Sequence, residues 1–326
     1  MIDLERLRER FANTPEFATS PLYTQLCGVV SRHDRLLSLA ASAREGQQPT
    51  FLFMGAVKYL LGARTADLDA ETFVAFCDEH EDELRHLLET RLVQTNAVPR
   101  SLALWIGMTV VARHTGAAVH LVEVGASAGV HLRFDRFGYR LGDSWFGDPS
   151  SPVQIEAELR EGAGPVHLDA IPSLTSVTGV DLAPVDAADP DRRRWLEALV
   201  WPENVHEAEL LSAALDLVAA DPPALVAGDA VDVLPDLELP RGEPRVVFTA
   251  ATRMHVPADR RAAFDEAIDC LGRSGPMYWI SLERPAENAV GLYVRMPSGE
   301  DVLAAVVGGR VQWISMRDQP ATESGK

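Results

Sequence analysis

Over the first 115 or so residues, apolar positions recur every three to four places, the period of an amphipathic helix. Asp3 is placed to cap a first helix that carries Leu4, Leu7 and Phe11 on one face. Further helical patterns run over 22–44 and 51–61. A long one over 71–92 sets Phe73, Phe76, Leu84, Leu87 and Leu88 on an apolar side. A fifth begins near Pro99, where a proline suits the first turn, and runs towards His114.

The period then shortens. Val119-His120-Leu121-Val122-Glu123-Val124 reads as a strand, and Gly125-Ala126-Ser127-Ala128-Gly129 follows at once. Residues 137–160, punctuated by Gly, Asp and Pro, read as an inserted β-hairpin. Beyond it, strands at 176–180, 224–227, 245–249 and 277–282 alternate with helices at 190–200, 203–220 and 257–271. That alternation predicts an α/β fold with a doubly wound, Rossmann-like parallel sheet. Close-set strands at 292–296, 302–307 and 311–316 predict an antiparallel end, its last two strands joined by Gly308-Gly309 as a two-residue turn. The expected organisation is a helical cap domain over 1–115, a cofactor-binding α/β domain over 116–319 and a disordered tail over 320–326.

Composition narrows the function classes. The 326 residues carry 30 Lys and Arg against 48 Asp and Glu, a net charge of −18 that repels phosphate backbones and anionic membrane surfaces. Neither nucleic acid nor membrane is an expected partner; a small molecule is. No apolar stretch approaches the roughly 20 residues that span a bilayer, and Met1 to Arg6 does not read as a secretion signal. Cys27, Cys77 and Cys270 are odd in number and widely spaced, which excludes a disulfide framework or a Cys-rich zinc site and fits a reduced, cytoplasmic compartment. The acidic run from Cys77 to Glu83 lacks the spacing that sets two histidines on one helix face, so no metal is expected there.

The candidate chemistry centres on the glycine-rich turn. A strand ending in an acid, followed by small residues, lets backbone approach a ligand closely, and a following helix would aim its free N–H groups there. Two further acids end later strands: Asp181, suited to a ribose diol, and Asp229, suited to an exocyclic amine, with Ala230 leaving room for a flat ring. A second reading takes Gly125-x-Ser127-x-Gly129 as a nucleophile elbow with Ser127 attacking, as in serine hydrolases, although everything upstream reads helical where that fold needs strands. A third makes the glycines a packing device and the acids solvated loop residues.

Glu123-x-Gly125-x-Ser127-x-Gly129, Asp181 and Asp229-Ala230 together resemble the motifs of the class I S-adenosylmethionine-dependent methyltransferases over roughly residues 117–283. The whole chain is similar to an uncharacterised bacterial family carried as a domain of unknown function. The matching text is Gln94-Thr95-Asn96, Leu121 to Gly129, Gly147-Asp148-Pro149, Asp181-Leu182, Trp201-Pro202 and Gly228-Asp229-Ala230. The resemblance implies that Glu123, Gly125, Ser127 and Gly129 hold the amino-acid end of S-adenosylmethionine, Asp181 the ribose, and Asp229 with Ala230 the adenine. It supplies no acceptor, and a non-catalytic binding protein of the same fold remains an alternative.

Other residues carry weaker expectations. His255, after the fourth strand, is the preferred general base, with Arg253 orienting an anionic acceptor. Asn96 and Arg100, four apart, are candidates for a helix face towards substrate. Tyr139 and Trp145 are candidates for an aromatic wall, or for simple packing of the insertion. His131 is either a ligand contact or an idle helix-surface histidine.

Overall fold

The computed structural model describes residues 3–161, 168, 170–286 and 289–317; the tail expected to be disordered lies outside them. The chain divides into two compact units, residues 1–95 with 188–209, and 96–187 with 210–326.

The first unit is helical, with α1 (Leu4–Ala12), α2 (Pro21–Arg32), α3 (Asp34–Ala40), α4 (Pro49–Leu61), α5 (Ala70–Glu79) and α6 (Glu81–Thr90). Helix α7 (Arg100–Ala112) belongs to the second unit, and the chain returns to the first for α8 (Pro190–Ala198). Asp3 caps α1 by accepting from the N–H groups of Glu5 and Arg6. The single helices expected over 22–44 and 71–92 are each broken in two. The backbone leaves the helical region at His33 (φ −120°, ψ 105°) and is displaced at His80 (φ −111°, ψ 27°). Both halves of each pair feed one core, with Leu26, Leu36, Phe73 and Leu84 buried beside Phe53 and Trp195. The apolar pattern therefore runs on through both breaks, which is why periodicity alone conceals them.

Among the described residues of the second unit, eleven strands form one sheet. They are β1 (Val119–Val124), β2 (Gly138–Leu141), β3 (Ser144–Gly147), β4 (Gln154–Glu161), β5 (Leu174–Asp181) and β6 (Ala224–Ala227), then β7 (Arg245–Ala250), β8 (Met277–Ala286), β9 (Ala289–Arg295), β10 (Asp301–Val307) and β11 (Trp313–Met316). Their order is β3-β2-β4-β11-β10-β9-β8-β7-β1-β5-β6. Strands β6, β5, β1, β7 and β8 run parallel. The chain winds outward from β1 to β5 and β6, then returns to the other side of β1 for β7 and β8, so the order reverses at β1. Strands β8 to β11 form an antiparallel meander. The result is a mixed α/β architecture.

Helices α9 (Val205–Ala220), α10 (Ala230–Val233) and α11 (Arg261–Cys270) follow in the chain. Phe264 and Ile268 of α11 bury Val122, Val247 and Trp279 on one sheet face. Helix α7 packs on β8, β9 and β10, so closely that a Cβ at Gly107 would stand 2.6 Å from Ile280. The central strand β1 is buried along its whole length, as a sheet covered on both faces requires.

Two expectations about the sheet are corrected. The insertion is a β2–β3 hairpin followed by β4, which runs parallel to β2 and then pairs with β11, drawing the insertion into the main sheet. Gly308-Gly309 is not a two-residue turn, because β10 ends at Val307 and β11 begins at Trp313. Gly308 is small because the Trp313 indole lies against it, 2.6 Å from where a Cβ would sit. Among the described residues no helix is long and apolar enough to cross a membrane, and Cys27, Cys77 and Cys270 are free.

Candidate functional site

Strand order reverses between β1 and β7, and in open α/β sheets the carboxyl ends of the strands at such a reversal are the usual ligand position. The turn after β1 is built from left-handed backbone, with φ of +81° at Gly125, +51° at Ser127 and +73° at Gly129. Gly125 has a second reason to be glycine: a Cβ there would come within 2.3 Å of Thr252 Oγ1. Ser127 tolerates its uncommon conformation because it is tied down on three sides. Its N–H donates to Asp181 Oδ2 (2.8 Å), its carbonyl accepts from Val185 N (3.0 Å), and its hydroxyl accepts from Asn96 Nδ2 (3.1 Å).

The expected helix after the turn is absent. Residues Val130–Arg136 form 3-10 turns interrupted at Arg133 (φ −113°, ψ 18°), so no long helix dipole faces the site. His131 is correspondingly not on a helix surface. It is buried, edge-on to Phe248, with Nδ1 2.6 Å from Glu123 Oε1 and Nε2 3.1 Å from the Ala97 carbonyl. A carbonyl only accepts, so Nε2 carries a hydrogen. Burial pushes the Glu123 carboxyl above its ordinary range, against the opposing pull of His131. Glu123 Oε2 is buried without a hydrogen-bond partner among the described residues. A carboxylate oxygen in that state is a vacant acceptor.

Asp181, at the end of β5, accepts from Ser127 N through Oδ2 and from Ala183 N (2.9 Å) through Oδ1. It buttresses the turn. Asp229, after β6, caps α10 by accepting from Val231 N (2.9 Å), while its other oxygen accepts from Arg260 Nη1 (2.7 Å). Ala230 is buried beside it.

Sequence reasoning missed Glu283, on β8. Its Oε1 accepts from Thr252 N (2.9 Å) and Arg253 N (3.1 Å), and Thr252 Oγ1 donates to the Val124 carbonyl (3.0 Å). Burial raises the Glu283 carboxyl, opposed by those N–H groups, by Thr249 and by Arg100. The rule that found Glu123 and Asp181, an acid at the carboxyl end of a parallel strand, would have found it. Arg100, at the start of α7, makes a long hydrogen bond to the Ala250 carbonyl (3.4 Å); burial lowers its pKa, and the fields of Glu283 and Glu123 hold it charged.

Of the remaining candidates, Arg253 and His255 follow Thr252 on the loop after β7, and Tyr139 and Trp145 lie on the insertion. The Arg253 guanidinium is clamped on both oxygens of Asp265 (2.8 and 2.7 Å), so it is not free to orient an acceptor. His255 is exposed; partial desolvation and Arg100 depress its pKa. Tyr139 is fully buried, stacked on Phe146 at 5.4 Å and donating its hydroxyl to the Phe134 carbonyl (2.7 Å). Trp145 is 63% exposed beneath Arg140. One ring is core and the other surface, so they form no common wall.

Residues 5–315 match the profile of a bacterial family described as "Uncharacterized protein conserved in bacteria (DUF2332)". The chain belongs to this family. The DUF2332 match takes in the whole of the turn, all three strand-end acids and Glu283. No curated protein matches the chain.

Proposed function

We propose that the chain binds S-adenosylmethionine across the carboxyl ends of β1, β5 and β6 and transfers its methyl group to a small molecule. The observation that carries this reading is the row of acids Glu123, Asp181 and Asp229 at the ends of three adjacent parallel strands. Neighbouring strands lie about 4.8 Å apart, so the row spans about 10 Å, the length of an adenosine with a short tail.

The donor set fits such a ligand. The unpartnered Glu123 Oε2 would accept from the ammonium of the amino-acid end. Asp181, at the end of the adjacent strand, would meet the ribose diol, and the small Ala230 beside Asp229 would face the base. Asp229 would receive the adenine amine beside its existing bond to Arg260. When bound, the sulfonium supplies an activated methyl group. The chain's own task is then to hold ligand and acceptor in line and keep water out. As a nucleophile Ser127 would need a neighbouring base, and its hydroxyl meets the Asn96 amide instead.

Calorimetric titration with S-adenosylhomocysteine tests the reading. Saturable binding is expected, weakened about tenfold or more in Glu123→Gln and Asp229→Ala and nearly unchanged in Ser127→Ala. Folded wild-type protein that takes up none at millimolar ligand would overturn the proposal. Turnover of the methyl donor then separates an enzyme from a binding protein.

A further inference from the structure

A cleft of about 230 Å3 opens over β8 and β9. Trp279, Ser281 and Glu283 occupy alternate positions of β8 and so share a face, with Arg295 paired opposite Trp279 and Tyr293 opposite Ser281. Arg284, next to Glu283 in sequence, ought to point the other way. The register of β8 against β9 shifts between Leu282 and Arg284, and this bulge lets both side chains line the cleft.

The walls are flat and rich in donors. The Arg284 guanidinium lies 3.6 Å from the Tyr293 ring centroid, and that of Arg295 lies 4.9 Å from the centre of Trp279. The Tyr293 ring folds back over Gly291, where a Cβ would stand 2.3 Å from Cε2. Both guanidiniums share Asp301, through Arg284 Nη1 (2.9 Å) and Arg295 Nε (3.0 Å), and Arg295 Nη1 reaches Asp269 (3.4 Å). Among the described residues, no acceptor takes Nε or Nη2 of Arg284, Nη2 of Arg295 or the hydroxyl of the buried Ser281. Across the lining the guanidiniums of Arg253, Arg284 and Arg295 face the carboxyls of Asp265, Glu283 and Asp301, so it is the unused N–H groups of Arg284 and Arg295, not a net positive charge, that call for an acceptor group in a ligand.

From this geometry we infer that the cleft binds a single-ring aromatic carboxylate, its ring against the Trp279 and Tyr293 walls and its carboxylate accepting from Arg284, Arg295 and Ser281. The size agrees: a cavity of about 150 Å3 accommodates benzene, so this one has room for a ring and one polar substituent. The cleft also adjoins the glycine turn. Glu283 in its lining holds the N–H of Thr252, whose side chain fills the space beside Gly125. Resting on the cofactor reading, the occupant is the methyl acceptor.

The test is calorimetry on the full chain with 4-hydroxybenzoate, alongside cyclohexanecarboxylate and inorganic phosphate, each with and without S-adenosylhomocysteine. The aromatic acid should bind at least about tenfold tighter than either control, and Arg284→Met and Ser281→Ala should each weaken it about tenfold. Equal binding of all three anions, or aromatic binding indifferent to both cleft variants, would overturn the inference. S-adenosylhomocysteine binding with no aromatic binding would refute the cleft alone. Aromatic binding without S-adenosylhomocysteine binding would uphold the cleft and remove its role as an acceptor site.

Discussion

At the scale of single residues, Glu123 is held by one strong partner and one missing one. Its carboxyl is raised by burial, so from pH 4.5, its ordinary value, upward the folded chain retains a proton that the unfolded chain has released. Folding stability should therefore fall with rising pH across that window, until Glu123 ionises in the folded state, and level off above it. Glu123→Gln removes this slope. The difference between wild type and variant in urea unfolding, measured from pH 4.5 to neutrality, should change in the variant's favour; a pH-independent difference would contradict the assignment. Gly125→Ala combines a left-handed backbone with a clash on Thr252. It should cost about 1–3 kcal/mol and loosen the turn. The acid at the end of β1 and the glycines around Ser127 were legible because a strand followed by small residues is a local pattern. The His131 partner was not, since the 3-10 geometry that turns it inwards depends on the kink at Arg133.

At the scale of elements, the insertion shows what a period of two leaves open. Tyr139 pairs with Phe146 and Arg140 with Trp145 across the β2–β3 hairpin. Alternation separates Trp145 from Phe146, but only the tertiary contact with Trp105 decides which of the two is buried. Tyr139→Ala should destabilise by about 3–5 kcal/mol, whereas Trp145→Ala should stay within about 0.5 kcal/mol. Equal losses in chemical denaturation would contradict the burial described. The same limit explains the helix breaks at His33 and His80, where an apolar stripe runs on through a backbone that does not. It also explains Gly308, whose smallness answers to the Trp313 indole rather than to a turn. The bulge at Glu283 left no composition signal, and it sets both the buttress under Thr252 and the cleft beside it.

For the molecule as a whole, the alternation of strands and helices gave the parallel half of the sheet nearly strand for strand, because each unit is recorded in contiguous sequence. The pairing of β4 with β11 joins residues more than 150 positions apart and could be read only from the fold. The division into units follows the same logic: residues 188–209 group with 1–95 through the packing of α8 on α4. Function depends on whether the row of strand-end acids holds one extended ligand. The most direct measurement is a thermal-shift titration with S-adenosylhomocysteine on wild type and Asp229→Ala, a variant that leaves the turn's own hydrogen bonds intact. At 100-fold excess over Kd, linkage gives about 2.7 kcal/mol of added stability to wild type. The account predicts a saturable rise in Tm of wild type that Asp229→Ala reduces or removes; no shift in wild type at millimolar ligand, or the same shift in both proteins, would contradict it.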